Sequence, residues 1–255
     1  MLLIAARLPP SAHAFSDAAH LVDLSLADVR ARLAGPLPRV LVLEPDPDRA
    51  RERAAALEEL GFVILLCDPR AVPGDDDRFH ARALELSAHA LVAVNESGER
   101  EDVRLASVAL IQRGVRTTTT TEVTQKSTRQ FDPARALLSG GLLLTKKVPV
   151  VSTRTSTSQN EFLLLHRTDA DRDVIIYSNR VDYQCLGTAM QPSSTANFSA
   201  LAARIREIAP ARVPFDARVS RPGFVQGLPA TRAHPVDLAL WMVLLVHLRG
   251  LAVPG

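Results

Sequence analysis

The sequence predicts an α+β protein built from two small domains and a closing apolar helix. Three observations carry that prediction. Strand-like and helix-like apolar runs alternate over residues 1–68. A run of Pro, Gly and acids at 69–77 interrupts them. Beyond it the pattern becomes β-branched, ending in one amphipathic helix. The chain has 255 residues, 47% apolar and 23% charged, so a packed core is affordable and wholesale disorder is excluded. Only 4% are aromatic, so that core is mostly Leu, Val and Ala. A net charge of +2 gives no electrostatic footprint for nucleic acid. Two cysteines, Cys67 and Cys185, stand far apart in sequence and fit a reducing compartment. MLLIAARLPP lacks the basic start of a signal peptide, and no run of about 20 clean apolar residues exists. The expected location is the cytoplasm.

The first domain, residues 1–68, reads βααβαβ. Leu2–Leu8 is a buried strand stopped by Pro9-Pro10, and Phe15–Val22 a short helix. Ser25 caps the next, with Leu26, Val29 and Leu33 at helical spacing, before Gly35-Pro36 ends it. Val40–Leu43 is a strand. Asp46 or Asp48 caps a helix whose first turn suits Pro47 and whose face is Ala50, Ala54, Leu57 and Leu60; Gly61 follows its end. Phe62–Cys67 is the third strand. Residues 69–77 form a linker.

The second domain, residues 78–210, is antiparallel β with an insertion at 131–147. Leu91–Val94, a turn at Asn95–Gly98, and a run Val103–Ile111 ending at Gly114 come first. Thr/Ser-rich strands Val115–Thr128 and Val148–Ser158 bracket an apolar tip, Ala134–Leu144. Phe162–Leu165 and Val174–Tyr177 form a hairpin. Ser194 or Thr195 caps a helix presenting Phe198, Leu201, Ala202, Ile205 and Ile208. Residues 211–233 are an irregular linker. Pro235 opens a helix, within 234–250, that is apolar nearly all round.

The run LSLADVRARLAGPLPRVLVLEPDPDRARERAAALEELGFVILLCD, Leu24–Asp68, resembles the C-terminal domain of the bacterial ribosomal stalk protein. That resemblance implies the small α/β fold shared with ClpS-like adaptor domains. The family's GTPase-recruiting lysines do not carry over: Ala27 stands at one such place and Arg30 at another, so the implied inheritance is a protein-binding fold. The stretch from Leu91 to Ile111, with Gly98 in the turn and Leu105, Val108 and Ile111 after it, is similar to bacterial pleckstrin-homology-like domains. There the terminal helix would plug one end of a curved sheet.

Catalytic motifs are missing. No phosphate loop follows a strand, and Gly140-Gly141 reads as a plain turn. The acids of EPDPD read as helix caps, because no partner Asp or Lys of a phosphoryl-accepting site follows. Asp169, Asp171 and Asp173 alternate like calcium ligands but lack the loop's Gly and terminal Glu. The seven histidines make no metal-spaced set. The expectation is therefore no catalytic residue, no cofactor and no metal. An enzyme would need Arg180, Asp182 and Tyr183 to converge in a cleft.

The expected function is non-catalytic protein binding or scaffolding with self-association, the partner being another protein or a second copy. The alternative is a peripheral membrane-binding or membrane-inserting protein using the tip 134–144 and the helix 236–248. The contact residues expected under either are Leu137, Leu138, Leu142, Leu143, Leu144, Lys146, Lys147 and Trp241. No nucleic-acid partner is expected.

Overall fold

The computed structural model describes residues 1–131, 145–221, 223–226 and 228–251. It is an α+β protein. The chain falls into two compact units: Met1–Arg116 together with Glu161–Gly255, and Thr117–Asn160.

The first unit begins with β1 (Leu2–Arg7), α1 (Ala14–Leu21), α2 (Leu26–Leu33), β2 (Arg39–Leu43), α3 (Pro47–Glu59) and β3 (Val63–Cys67). β1 is central and antiparallel to both neighbours, with Leu3 opposite Val42 on one side and Leu66 on the other. Alternation sorts its side chains. Leu3 and Ala5 face α1–α3, packing with Ala18, Val29 and Leu57. Leu2, Ile4 and Ala6 face the opposite way. Local chemistry sets the helix starts. Ser25 Oγ accepts from the Asp28 amide at 3.1 Å, and Asp46 Oδ1 accepts from the Asp48 amide at 2.9 Å, with Pro47 in the first turn. Of the two candidate caps for α3, Asp46 is the one used. Gly61 takes φ of 89°, the left-handed conformation that closes a helix without a Cβ penalty.

Residues 69–77 form two short 3-10 turns inside this same unit. β4 (Phe79–Ala81), β5 (Ala83–Leu86), β6 (Ala90–Val94) and β7 (Arg100–Arg104) follow. β5–β6–β7 is an antiparallel meander, with Leu84 opposite Ala93 and Leu91 opposite Val103. Then come β8 (Val108–Phe131), β9 (Thr145–Arg167) and β10 (Val174–Tyr177). The second sheet has the order β11-β8-β9-β10-β4, where β11 is Phe215–Asp216 within the stretch expected to be irregular. β10 pairs antiparallel to β9 and parallel to β4. Gly114 does not end a strand as expected. β8 runs straight through it, because a bare Cα there makes room for the Phe162 ring of β9.

α4 (Ser194–Ile208) lays Phe198, Leu201, Ala202 and Ile205 on Leu84, Leu91, Val103, Leu163 and Ile176, with Ile208 partly buried. Its cap is Ser193, one residue before the expected pair: Ser193 is extended, and its hydroxyl accepts from the Ala196 amide at 3.4 Å.

α5 (Pro235–Leu248) lies between the two layers. Val236, Ala239, Leu240, Val243 and Leu244 pack with Leu110, Phe162, Leu164, Ile175 and Tyr177 of the five-stranded sheet. Leu238, Met242 and Val246 pack with Leu2, Ile4, Ala6, Leu65 and Cys67 of the three-stranded sheet. A helix that is apolar all round is one buried all round, and here two sheets cover it.

Candidate functional site

Leu137, Leu138, Leu142, Leu143 and Leu144 lie outside the described residues. Lys146 and Lys147 fall on β9, where only the backbone is described. Trp241 does not project as an anchor. It is partly buried against both clusters that α5 joins. Leu238, Met242 and Val246, which lipid would have to meet, are wholly buried. Among the described residues no helix is long and apolar enough to cross a membrane.

Arg180, Asp182 and Tyr183 do not converge. Tyr183 donates its hydroxyl to the Ser178 carbonyl at 2.6 Å, and Asp182 accepts from the Gln184 amide at 3.0 Å. Both hold the turn after β10. Arg180 lies elsewhere, its guanidinium 5.2 Å from the Tyr177 ring centre.

Three polar constellations occupy the first unit. The first gathers around Asp237 in the first turn of α5. Arg78 Nη1 reaches Asp237 Oδ1 at 2.6 Å and Arg116 Nη2 reaches it at 2.5 Å. Tyr177 donates to Asp75 Oδ1 at 2.8 Å, and Arg116 lies 3.5 Å from the same carboxylate. A cleft of about 450 Å³ opens beside them, lined by Asp75, Arg116, Arg232 and His234 among others. Proton transfer does not suit these groups. Burial pushes the Tyr177 phenol far up, and its hydrogen already points at Asp75. His234 Nδ1 accepts from the Val236 amide at 3.2 Å as the cap of α5; burial and the Arg116 charge lower its pKa. The cluster ties the 73–78 segment and β8 to the start of α5.

The second constellation looks at first like half of a catalytic triad. His166 Nδ1 meets Asp173 Oδ2 at 2.6 Å, the pairing that orients a catalytic imidazole. In a triad the other nitrogen faces a nucleophile. Here His166 Nε2 meets Gln112 Oε1 at 2.6 Å, with both residues buried. Both ring nitrogens are thus already engaged, and neither faces a nucleophile.

The third is a groove of about 380 Å³ beside the β6–β7 turn, with Arg82, Arg172 and Arg180 at its mouth and one lining carboxylate, Glu96. Sequence reasoning missed it. Its arginines are scattered from position 82 to 180 in a chain whose positive charge is nearly all arginine, so no local spacing marked it.

The second unit, taken by itself, consists of the 117–131 length of β8 and the 145–160 length of β9 among its described residues. The two strands are hydrogen-bonded neighbours. Their other neighbours pair outside this unit, β11 at Ile111 and Gln112 and β10 at Phe162–Tyr177. Among the described residues each strand therefore keeps one edge without a strand partner across the unit. These edges are far longer than a usual strand of about 5–6 residues. They differ in chemistry. β9 carries Lys146, Lys147 and Pro149, devices that discourage edge pairing, since Pro has no N–H to donate. β8 carries five consecutive threonines, Thr117–Thr121, with high strand propensity and no charge.

In comparisons with known proteins, no family model, no curated protein and no solved structure matches the chain.

Proposed function

We propose that this chain is a non-catalytic binding or scaffolding protein that associates with further copies of itself through the open edge of β8 at Thr117–Thr121. The observation that carries this reading is the pairing of the strand lengths 117–131 and 145–160, which the second unit contains. A two-stranded ribbon is only marginally stable in water, and an unpaired edge is a template for another strand. A second copy offers the same edge, and two such edges related by a two-fold axis pair antiparallel.

The remaining parts of the reading are fold proposals. The βααβαβ order of residues 1–68 suits a ClpS-like or stalk-protein-like domain. The strands and helix between 78 and 210 suit a pleckstrin-homology-like module, with α4 as its plug. Both are binding folds. Two free thiols suit a cytoplasmic setting.

Sedimentation of the full chain across a range of concentrations tests the reading. An assembly is expected. Successive N–H groups of a strand point to opposite edges, so one of Thr118→Pro and Thr119→Pro removes a donor from the open edge and should shift the chain toward monomer. A wild-type chain that stays monomeric at every concentration overturns the reading. So do Thr118→Pro and Thr119→Pro variants that both assemble like wild type.

A further inference from the structure

We propose that the groove beside the β6–β7 turn binds a small soluble phosphate monoester, held by Arg82, Arg172 and Arg180, with Glu96 as a built-in competing anion. This site is separate from the β8 edge and does not depend on self-association.

Phe79 and His80 line the groove with its arginines, and Tyr177 lies buried behind His80. Arg172 lies 5.5 Å from the Phe79 ring centre and Arg180 5.2 Å from that of Tyr177. His80 stacks on Tyr177 at 5.8 Å. A guanidinium held over a ring can still present its N–H groups to an anion, as Arg172 does to Glu99. Arg82 Nη1 donates to the Arg180 backbone carbonyl at 3.3 Å, which ties together the two segments that carry these arginines.

Charge decides the class of ligand. Four arginines line the groove against one carboxylate. Arg78 is committed to Asp237. Among the described residues Arg180 has no carboxylate in salt-bridge contact. Arg172 pairs with Glu99 at 2.7 Å and lies 3.5 Å from Glu101, and Arg82 pairs with Glu96 at 2.7 Å; the Glu99 and Glu96 pairs are exposed and exchange partners at little cost. Glu96 already does what a ligand would do: a carboxylate bound by Arg82 within the field of Arg180. Those arginines, Arg82 first, hold its carboxyl below the usual range. A phosphate monoester carries more charge than Glu96 and three acceptor oxygens, so it can displace that side chain and engage two or three arginines together. The volume of about 380 Å³ is at the small end of ligand sites, which favours a small molecule.

Calorimetric titration of the full chain with glycerol 3-phosphate, at fixed ionic strength and with glycerol as control, tests this. Saturable binding to glycerol 3-phosphate and none to glycerol is expected. Arg180→Ala should weaken it about tenfold, the loss of one charge-assisted contact. Glu96→Gln should tighten it about threefold by removing the internal competitor. The proposal is overturned by the absence of saturation in both wild type and Glu96→Gln. It is equally overturned by unchanged affinity in Arg180→Ala, or by binding only to vesicles bearing phosphorylated headgroups.

Discussion

Gln112 Oε1 and His166 Nε2 meet at 2.6 Å, both residues buried. The Gln112 side-chain Nε2 donates to the carbonyl of Leu240 at 3.3 Å, a contact its oxygen could not make. On its other side His166 Nδ1 meets Asp173 Oδ2 at 2.6 Å. The imidazole thus joins β8, β9, the β9–β10 turn and, through Gln112, the middle of α5.

Removing His166 should be severe. His166→Ala strands the Asp173 carboxylate and the Gln112 oxygen with little solvent, and breaking such a pair costs about 3 kcal/mol. Gln112→Leu removes a neutral partner from His166 and a donor from the Leu240 carbonyl, and should cost about 1–3 kcal/mol. Because both act in one network, the double variant should cost less than the sum. Urea denaturation of the three variants measures the coupling; additive losses would contradict the shared network.

Stability should fall in acid through two carboxylates. Burial alone would raise Asp173, but the hydrogen bond and charge of His166 and the Arg167 amide outweigh it and lower it. Burial likewise opposes Asp216, whose bonds from His247 and Arg218 carry it far below the ordinary value. A depressed folded pKa means the unfolded chain binds the proton first. Each group's contribution is therefore present above an unfolded value of about 4 and lost as pH falls through the folded one. Within that window each contributes a slope of up to ~1.4 kcal/mol per pH unit. Asp216→Asn should flatten the curve of unfolding free energy between about pH 4 and 2. An unchanged slope would show that Asp216 does not titrate as described.

Much of this fold was legible locally and little of the polar network was. Caps at Ser25 and Asp46, the turn at Gly61 and the face of α4 are short-range patterns, and each stands where a few residues specify it. α5 was legible as apolar but not as sandwiched, because its partners, Leu2 to Cys67 and Leu110 to Tyr177, are far away in sequence. The same distance hid the pairing of Arg78 with Asp237, 159 positions apart, and the groove of Arg82, Arg172 and Arg180. Gly114 was misread for a related reason. A glycine marks a turn or a close approach, and only the Phe162 ring across the sheet tells which.

That ring gives a sharp test. A Cβ on Gly114 would meet Phe162 Cε1 at 2.8 Å, nearer than real contacts allow, and Phe162 is wholly buried. Gly114→Ala should therefore destabilise by about 1–3 kcal/mol through overpacking, despite the gain in strand propensity. Phe162→Leu in the Gly114→Ala background should recover part of the loss by vacating that space. Thermal melts of the pair and the single variants decide it; an Ala variant as stable as wild type would refute the close approach.

Cys67 reports the docking of α5. It ends β3 and lies in the cluster of Leu238, Met242 and Val246, with Trp241 beside it. Burial first, then the charge of Asp68, pushes its thiol up to about 11, against a smaller opposing effect of Trp241. Thiolate is the reactive form, so at pH 8 the native chain should show one slowly reacting thiol, the half-buried Cys185, and a second only in denaturant. Met242→Ala opens a cavity beneath α5 and should cost about 2–5 kcal/mol. If the helix seals the sheet as packed here, that variant should speed labelling of Cys67 while Cys185, which packs in the α4 cluster, reacts at its wild-type rate. Equal acceleration at both thiols would mean that the two layers open together, and that α5 does not leave the three-stranded sheet on its own.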